Sequence, residues 1–226
     1  MKKQRNSSVN QIETQINTTL DALNSRKLLY TFNYIYKKER ENNKWILSWS
    51  NHESGKFNTG EYFLKLEQYK KIIRNNSYLC ILYDGSLIRV SYTFQNNILL
   101  GHNLLWWPAP YAYPNVTIDD FSPSELMEEF LNDLTWHEVL NMRSPVRIDF
   151  DPKVASEIHP ATHIHMQHKD CRMYVEKPLC FNRFINFILK NNYPNLRFDF
   201  DDYDYIYFEL PSNLETFDVS NSGIII

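Results

Sequence analysis

Residues 77–108, SYLCILYDGSLIRVSYTFQNNILLGHNLLWWP, decide the fold. Runs rich in β-branched, aromatic and leucine side chains are broken by two turn dipeptides, Asp84-Gly85 and Asn96-Asn97. Gly and Asn tolerate the left-handed backbone of tight hairpin turns, so the stretch reads as three antiparallel strands in a meander. The proline-rich PAPYAYP ends it.

Upstream, Val9, Ile12, Ile16, Leu20 and Leu23 recur at steps of three and four, which predicts an amphipathic helix over 8–24. Residues 28–36 and 44–49 read as strands around a polar loop, KKERENN. Asn58 or Thr59 is the expected cap of a helix over 60–74. Downstream, Ser122 or Ser124 opens a helix over 124–140, whose early Glu125, Glu128 and Glu129 suit the positive end of its dipole. Strand-like segments follow at 146–150, 162–167 and 171–176, then an amphipathic helix over 179–192 that stops before Pro194. A last strand is expected at 203–209, and the SNSGIII tail reads as loosely held. Neighbouring strands joined by tight turns, with helices at the flanks, define an α+β class. The expectation is one domain over 1–226, a mainly antiparallel sheet flanked by helices.

Composition bounds the function. Hydrophobic residues make up 43% and aromatics 15% of the 226, enough for a large core. A formal net charge of −3 argues against a globally basic nucleic-acid binder and leaves room for a local groove. Three cysteines without framework spacing point to a reduced, cytoplasmic setting. The basic start lacks the apolar segment of a signal peptide, and no apolar run is long enough to span a membrane.

Chemistry concentrates in residues 147–172, which hold four of the seven histidines: His159, His163, His165 and His168. Period-two alternation places His163 and His165 on one face of their strand, and Arg147, Asp149 and Asp151 on one face of theirs. If those strands pair, histidines, carboxylates and an arginine share a surface suited to acid–base work and anion binding. The expected catalytic set is His163, His165, Asp149 and Arg172, supported by Arg147, Asp151, His159 and His168. In a metal-free phosphodiester-cleaving site, one histidine takes the proton of the attacking hydroxyl and the other protonates the leaving oxygen. Arg172 or Arg147 then stabilises the phosphoryl oxygens. No cofactor is required by that scheme. A zinc site is the alternative, with His163 and His165 ligating and His159 or Asp149 completing the set. The bland alternative is architectural: histidines alternating with core Ile164 and Met166, and an Asp149–Arg172 ion pair fixing strand register.

Several near-motifs fail. THIHMQH has Gln167 where the metallo-β-lactamase run has aspartate, and no histidine follows His168. An amidohydrolase barrel of ~250 residues does not fit in the roughly sixty that follow the H-x-H. RIDFDP places Lys153 where haloacid dehalogenases have Thr or Val, and FDFDDYDY lacks the glycine and spacing of a calcium loop. Trp106-Trp107 reads as core plus lid, with base stacking as its functional alternative. Trp45, Trp49 and Trp136 read as core, and His52, His102 and His137 as isolated surface or core residues.

Arg147, Asp149, Asp151 and Pro152, then His159, Pro160 and His163, Cys171 and Arg172, Pro178 and Leu179, and finally Phe184, Ile185, Tyr193 and Pro194 form a pattern. Over 146–194 that pattern resembles a bacterial family called domain of unknown function 2290. The arginine–aspartate strand followed by a histidine run also resembles small toxins of bacterial toxin–antitoxin pairs. That likeness implies a role in phage defence or growth inhibition, with nucleic acid as a candidate partner. The competing expectation is a non-catalytic subunit or adaptor bound to a protein partner in a defence complex. It requires buried, mutually satisfied histidines and an apolar patch, for which the 8–24 helix is the candidate.

Overall fold

Two interruptions of the meander set its geometry. At Asn96-Asn97 both residues take positive φ, 50° and 64°, as a two-residue turn between right-twisted strands requires. At Asp84-Gly85 only Gly85 does, at 84°. Its N–H bonds to Leu82 O, and Leu82 N–H bonds to Ser86 O, so the loop is three residues long rather than two. Asp84 closes it by accepting from the backbone and hydroxyl of Ser86. The strands so joined are β4 (Cys80–Leu82), β5 (Leu87–Gln95) and β6 (Ile98–Trp107) in the full order of elements.

The computed structural model describes residues 9–52, 65–110, 122–132, 143–156, 158–166, 171–196, 198 and 204–211. Within them, α1 (Val9–Ser25), β1 (Leu29–Phe32), β2 (Tyr36–Arg40), β3 (Lys44–Ser48) and α2 (Leu66–Arg74) precede the meander. After it come α3 (Pro123–Asn132), β7 (Val146–Phe150), β8 (Thr162–Met166), β9 (Met173–Tyr174) and α4 (Phe181–Asn192). All nine strands form one antiparallel sheet, ordered β1-β4-β5-β6-β7-β8-β9, with the β2–β3 hairpin joined to β5. The α+β class read from the sequence holds.

Two expectations are corrected. KKERENN is not a loop: Tyr36–Arg40 is a strand, turning at Asn42 and Asn43, both at positive φ. Its side chains are mostly exposed, so an apolar-periodicity reading passes over it. Residues 204–209 are not a strand, since no ladder partner runs alongside them. Instead, Asp204 O accepts from Gln15 and Asn182, and Phe208 packs on Tyr92 and Phe94. Side chains and a single backbone bond, from Leu99 N–H of β6 to Glu209 O, hold this segment.

The strand expected at 171–176 shortens to Met173–Tyr174, that at 28–36 ends at Phe32, and other differences are at helix ends. Ser122 caps α3 in a reciprocal box: its hydroxyl accepts from Glu125 N–H, and the Glu125 carboxylate accepts from Ser122 N–H. The expected caps Asn58 and Thr59, along with residues 133–140, Trp136, His137 and the tail, lie outside the described residues.

Alternation splits the sheet into two faces. Val90, Leu104, Ile148 and Ile164, in register across four strands, point into a core shared with Ile12, Ile16 and Leu20 of α1 and Phe184, Ile185 and Ile188 of α4. Thr19 donates to Asn182 where those two helices meet. On the opposite face Leu87, Leu105 and Trp107 pack with Tyr69, Ile72 and Ile73 of α2 and Met127 of α3. The latter pair of helices covers one end of its face, and polar side chains occupy the other. Trp106 and Trp107 are both buried, which removes them as a stacking platform.

Candidate functional site

The register of β6, β7 and β8 builds the site. Asp149 pairs with Asn103 on one side and with His163 on the other; Arg147 pairs with Leu105 and with His165. Because side chains alternate, the same ladder that buries Ile148 and Ile164 turns Arg147, Asp149, His163 and His165 to the polar face. The predicted juxtaposition is therefore present.

Asp149 sits at its centre. Its Oδ1 accepts from Asn103 Nδ2, Oδ2 lies 2.8 Å from Arg147 Nε, and His165 Nε2 is 3.5 Å from Oδ2. The ion pair foreseen between Asp149 and Arg172 is replaced by one with Arg147, one turn of the pleat away on the same strand. Burial pushes the Asp149 carboxyl up, opposed by the neighbouring Arg147 guanidinium and the Asn103 amide.

His163 is buried, with Nδ1 2.7 Å from Pro160 O. A carbonyl only accepts, so that nitrogen carries the proton and the Nε2 lone pair faces outward. It lies 2.9 Å from His165 Nε2. Burial lowers His163 to about 4 and His165 to about 3, with cationic neighbours including Arg147 adding to the effect. Both rings are thus neutral near pH 7, and His165 donates its Nε2–H to the His163 Nε2 lone pair. His159 packs its ring edge-on to His163, with centroids 4.7 Å apart. Asp151 accepts from Lys153 N–H, opening a one-turn 3-10 helix at the rim. His168 and Glu157 lie outside the described residues.

These groups line a cleft of about 590 Å³. Its lining also includes residues that the sequence reading did not single out as a site: Lys44, Arg89, Asn103, Lys153 and His52. Arg89 lies 4.3 Å over the Trp49 ring, whose other contact is His52 at 4.3 Å between centroids. Burial, then Arg89, lowers His52 to about 4. A signal for Arg89 was available: it interrupts the otherwise apolar start of β5, LIRVS, at an alternation position. Arg172, just before β9, lines the cleft with a buried Nε that has no hydrogen-bond partner among the described residues. His102 points to the other face, where its Nε2 accepts from Leu179 N–H; it is a core histidine.

The adaptor expectation named buried, mutually satisfied histidines and an apolar patch, with the 8–24 helix as the candidate place for it. His163 is buried and bonded to Pro160 and His165 as that reading asks, while Val9, Ile12, Ile16, Leu20 and Leu23 of α1 are buried in the core and offer no such patch. Among the described residues, no helix is long and apolar enough to cross a membrane. Cys80, Cys171 and Cys180 are unbridged.

An antiparallel α+β sheet with a histidine–carboxylate–arginine cleft on its open half defines the class of this protein. The chain belongs to the family described as an uncharacterized conserved protein, DUF2290, matching it over residues 28–218. The match reaches well upstream of 146–194 and takes in β1 to β6, which supply Lys44, Arg89 and Asn103. No curated protein and no solved structure matches the chain.

Proposed function

We propose that the cleft binds the phosphoryl group of a nucleotide or a short single-stranded nucleic-acid segment and hydrolyses a phosphodiester there. The observation that carries this reading is the convergence of Lys44, Arg89, Arg147, Lys153 and Arg172 around Asp149, His163 and His165 in one cavity. Among the described residues of its lining, Asp149 and Asp151 are the carboxylates that oppose those five cations. A chain of net charge −3 that gathers cations in one cleft is arranged for a local anion, not for a long duplex. About 590 Å³ is the size of a small-molecule site.

In this reading Arg172 neutralises the non-bridging oxygens, since its buried Nε has no hydrogen-bond partner among the described residues. His163, His165 and Asp149 hold and activate the attacking water. Two neutral imidazoles suit that task better than a base–acid exchange between them, because neither keeps an acidic proton near pH 7. The toxin-like order of arginine–aspartate strand and histidine run supports a setting in phage defence or growth inhibition.

The test is turnover of a chromogenic phosphodiester, linear and cyclic dinucleotides, and short RNA and DNA strands, with divalent metal ions supplied. Arg172→Ala should lower kcat/KM on the order of 10²-fold, with an unchanged urea midpoint. A wild-type chain inert toward every one of these substrates would overturn the reading.

A further inference from the structure

We propose that Asp149, His163 and His165 form a binding site for a first-row divalent transition metal, with open coordination positions facing the cleft. One ligand atom from each residue can be chosen so that all lie within 4.8 Å of one another.

The separations fit a metal. With metal–nitrogen bonds of about 2.0–2.1 Å, two nitrogens 2.9 Å apart subtend an angle of about 90° at the ion. The 3.5 Å between His165 Nε2 and Asp149 Oδ2 corresponds to roughly 115–120° on the same bond lengths. These two angles at His165 suit neighbouring ligands of one ion, as in a two-histidine, one-carboxylate site with vacant positions facing the cleft.

The supporting contacts point the same way. His163 donates Nδ1–H to Pro160 O, which fixes the tautomer with its lone pair on Nε2, where an ion would take the place of the His165 Nε2 proton. Asn103 holds the other oxygen of Asp149 and thereby orients the carboxylate. The three ligands come from paired strands, a rigid frame, rather than from a loop. Two imidazoles select a borderline ion such as Zn²⁺, Co²⁺ or Ni²⁺ over Mg²⁺ or Ca²⁺, which prefer oxygen. His159 lies outside this trio, so Asp149 takes the place that sequence spacing offered equally to His159.

The site deepens the hydrolase reading, on which its catalytic meaning rests; its geometry is independent of it. A bound water would lose a proton to solvent, and its oxygen would form the new bond to phosphorus. The phosphorus–oxygen ester bond would break, its electron pair leaving with the alkoxide, which takes a proton from water. The ion lowers the pKa of that water to about 7, and Arg172 offsets the added charge on phosphorus.

The experiment uses the full chain, stripped with a chelator and dialysed against Zn²⁺, Co²⁺ or Ni²⁺. The readouts are bound metal per chain, the visible absorption of the Co²⁺ form, and the thermal midpoint with and without metal. The expected result is one equivalent bound, d–d bands of a nitrogen- and oxygen-ligated Co²⁺, and a raised midpoint. Asp149→Asn, His163→Gln and His165→Gln should each weaken binding by more than about tenfold, while His52→Gln leaves it unchanged. Should a variant fail to fold, wild-type stoichiometry and spectrum still decide. Substoichiometric metal, or binding indifferent to folded trio variants, overturns the site. Stoichiometric metal without phosphodiester turnover sinks the hydrolase reading and leaves the site standing; turnover by the fully stripped chain leaves the hydrolase reading standing and overturns the ion's part in the reaction.

Discussion

Arg147 and Asp149, two residues apart on β7 and therefore on the same face, are joined at 2.8 Å with both side chains largely buried. A buried pair of this kind is costly to break and cheap to replace, because removing one partner strands the other's charge. Arg147→Met should destabilise the chain by about 3 kcal/mol, read from the urea midpoint. Arg147→Met combined with Asp149→Leu should cost less than either change alone. A double variant as unstable as the sum of the singles would show the pair to be energetically independent.

The Asn96-Asn97 turn invites a stabilising change. Asn97 carries φ 64°, where a Cβ is tolerated at some cost and glycine at none. Asn96 should be kept, because its side chain accepts from Asn43 and ties the two hairpin turns together. Asn97→Gly should raise stability by up to about 1 kcal/mol, and Asn97→Val should lower it by about 1–2 kcal/mol. Thermal midpoints of the two variants moving in the same direction would contradict this account.

Gly101 answers to a different constraint. The β5–β6 ladder shifts between Thr93 and Phe94, leaving Leu100 as an extra residue and bringing Gly101 against β7. A Cβ there would stand 3.0 Å from Phe150 O. Gly101→Ala should therefore push β6 from β7 and cost about 1–3 kcal/mol. Because Asn103 and Asp149 lie on these same two strands, metal binding should weaken as well. Unchanged stability would mean that the strands part without penalty.

The sequence displayed whatever depended on alternation and turn chemistry. The meander, the shared face of Arg147 and Asp149, and that of His163 and His165 all follow from period two plus antiparallel pairing. The edge strand β2 was hidden because its outward face and much of its inward face are polar, although Asn42-Asn43 is the same turn signal as Asn96-Asn97. Residues 203–209 looked like a strand because their aromatics alternate; the packing of Phe208 on Tyr92 and Phe94 uses an aromatic without a ladder. The cationic wall was the least legible part. Lys44 and Arg89 lie far from the histidines in sequence and reach the cleft only through the β3–β5–β6–β7 strand order.

Histidine protonation gives the chain a definite acid sensitivity. Burial lowers His102 to about 3 and His52 to about 4, from an ordinary 6.5. Between those values the unfolded chain binds more protons than the folded one, so stability rises with pH across that window. It is fully present above about pH 6.5 and is lost progressively as pH falls toward 4 and 3. His163 and His165 in the metal-free chain act in the same direction. His102→Gln keeps an acceptor for Leu179 N–H and removes one titrating ring. Urea midpoints of wild type should fall between pH 7 and pH 4, and those of His102→Gln should fall less steeply. A wild-type profile flat over that range would mean that these rings are not neutral and desolvated in the folded chain.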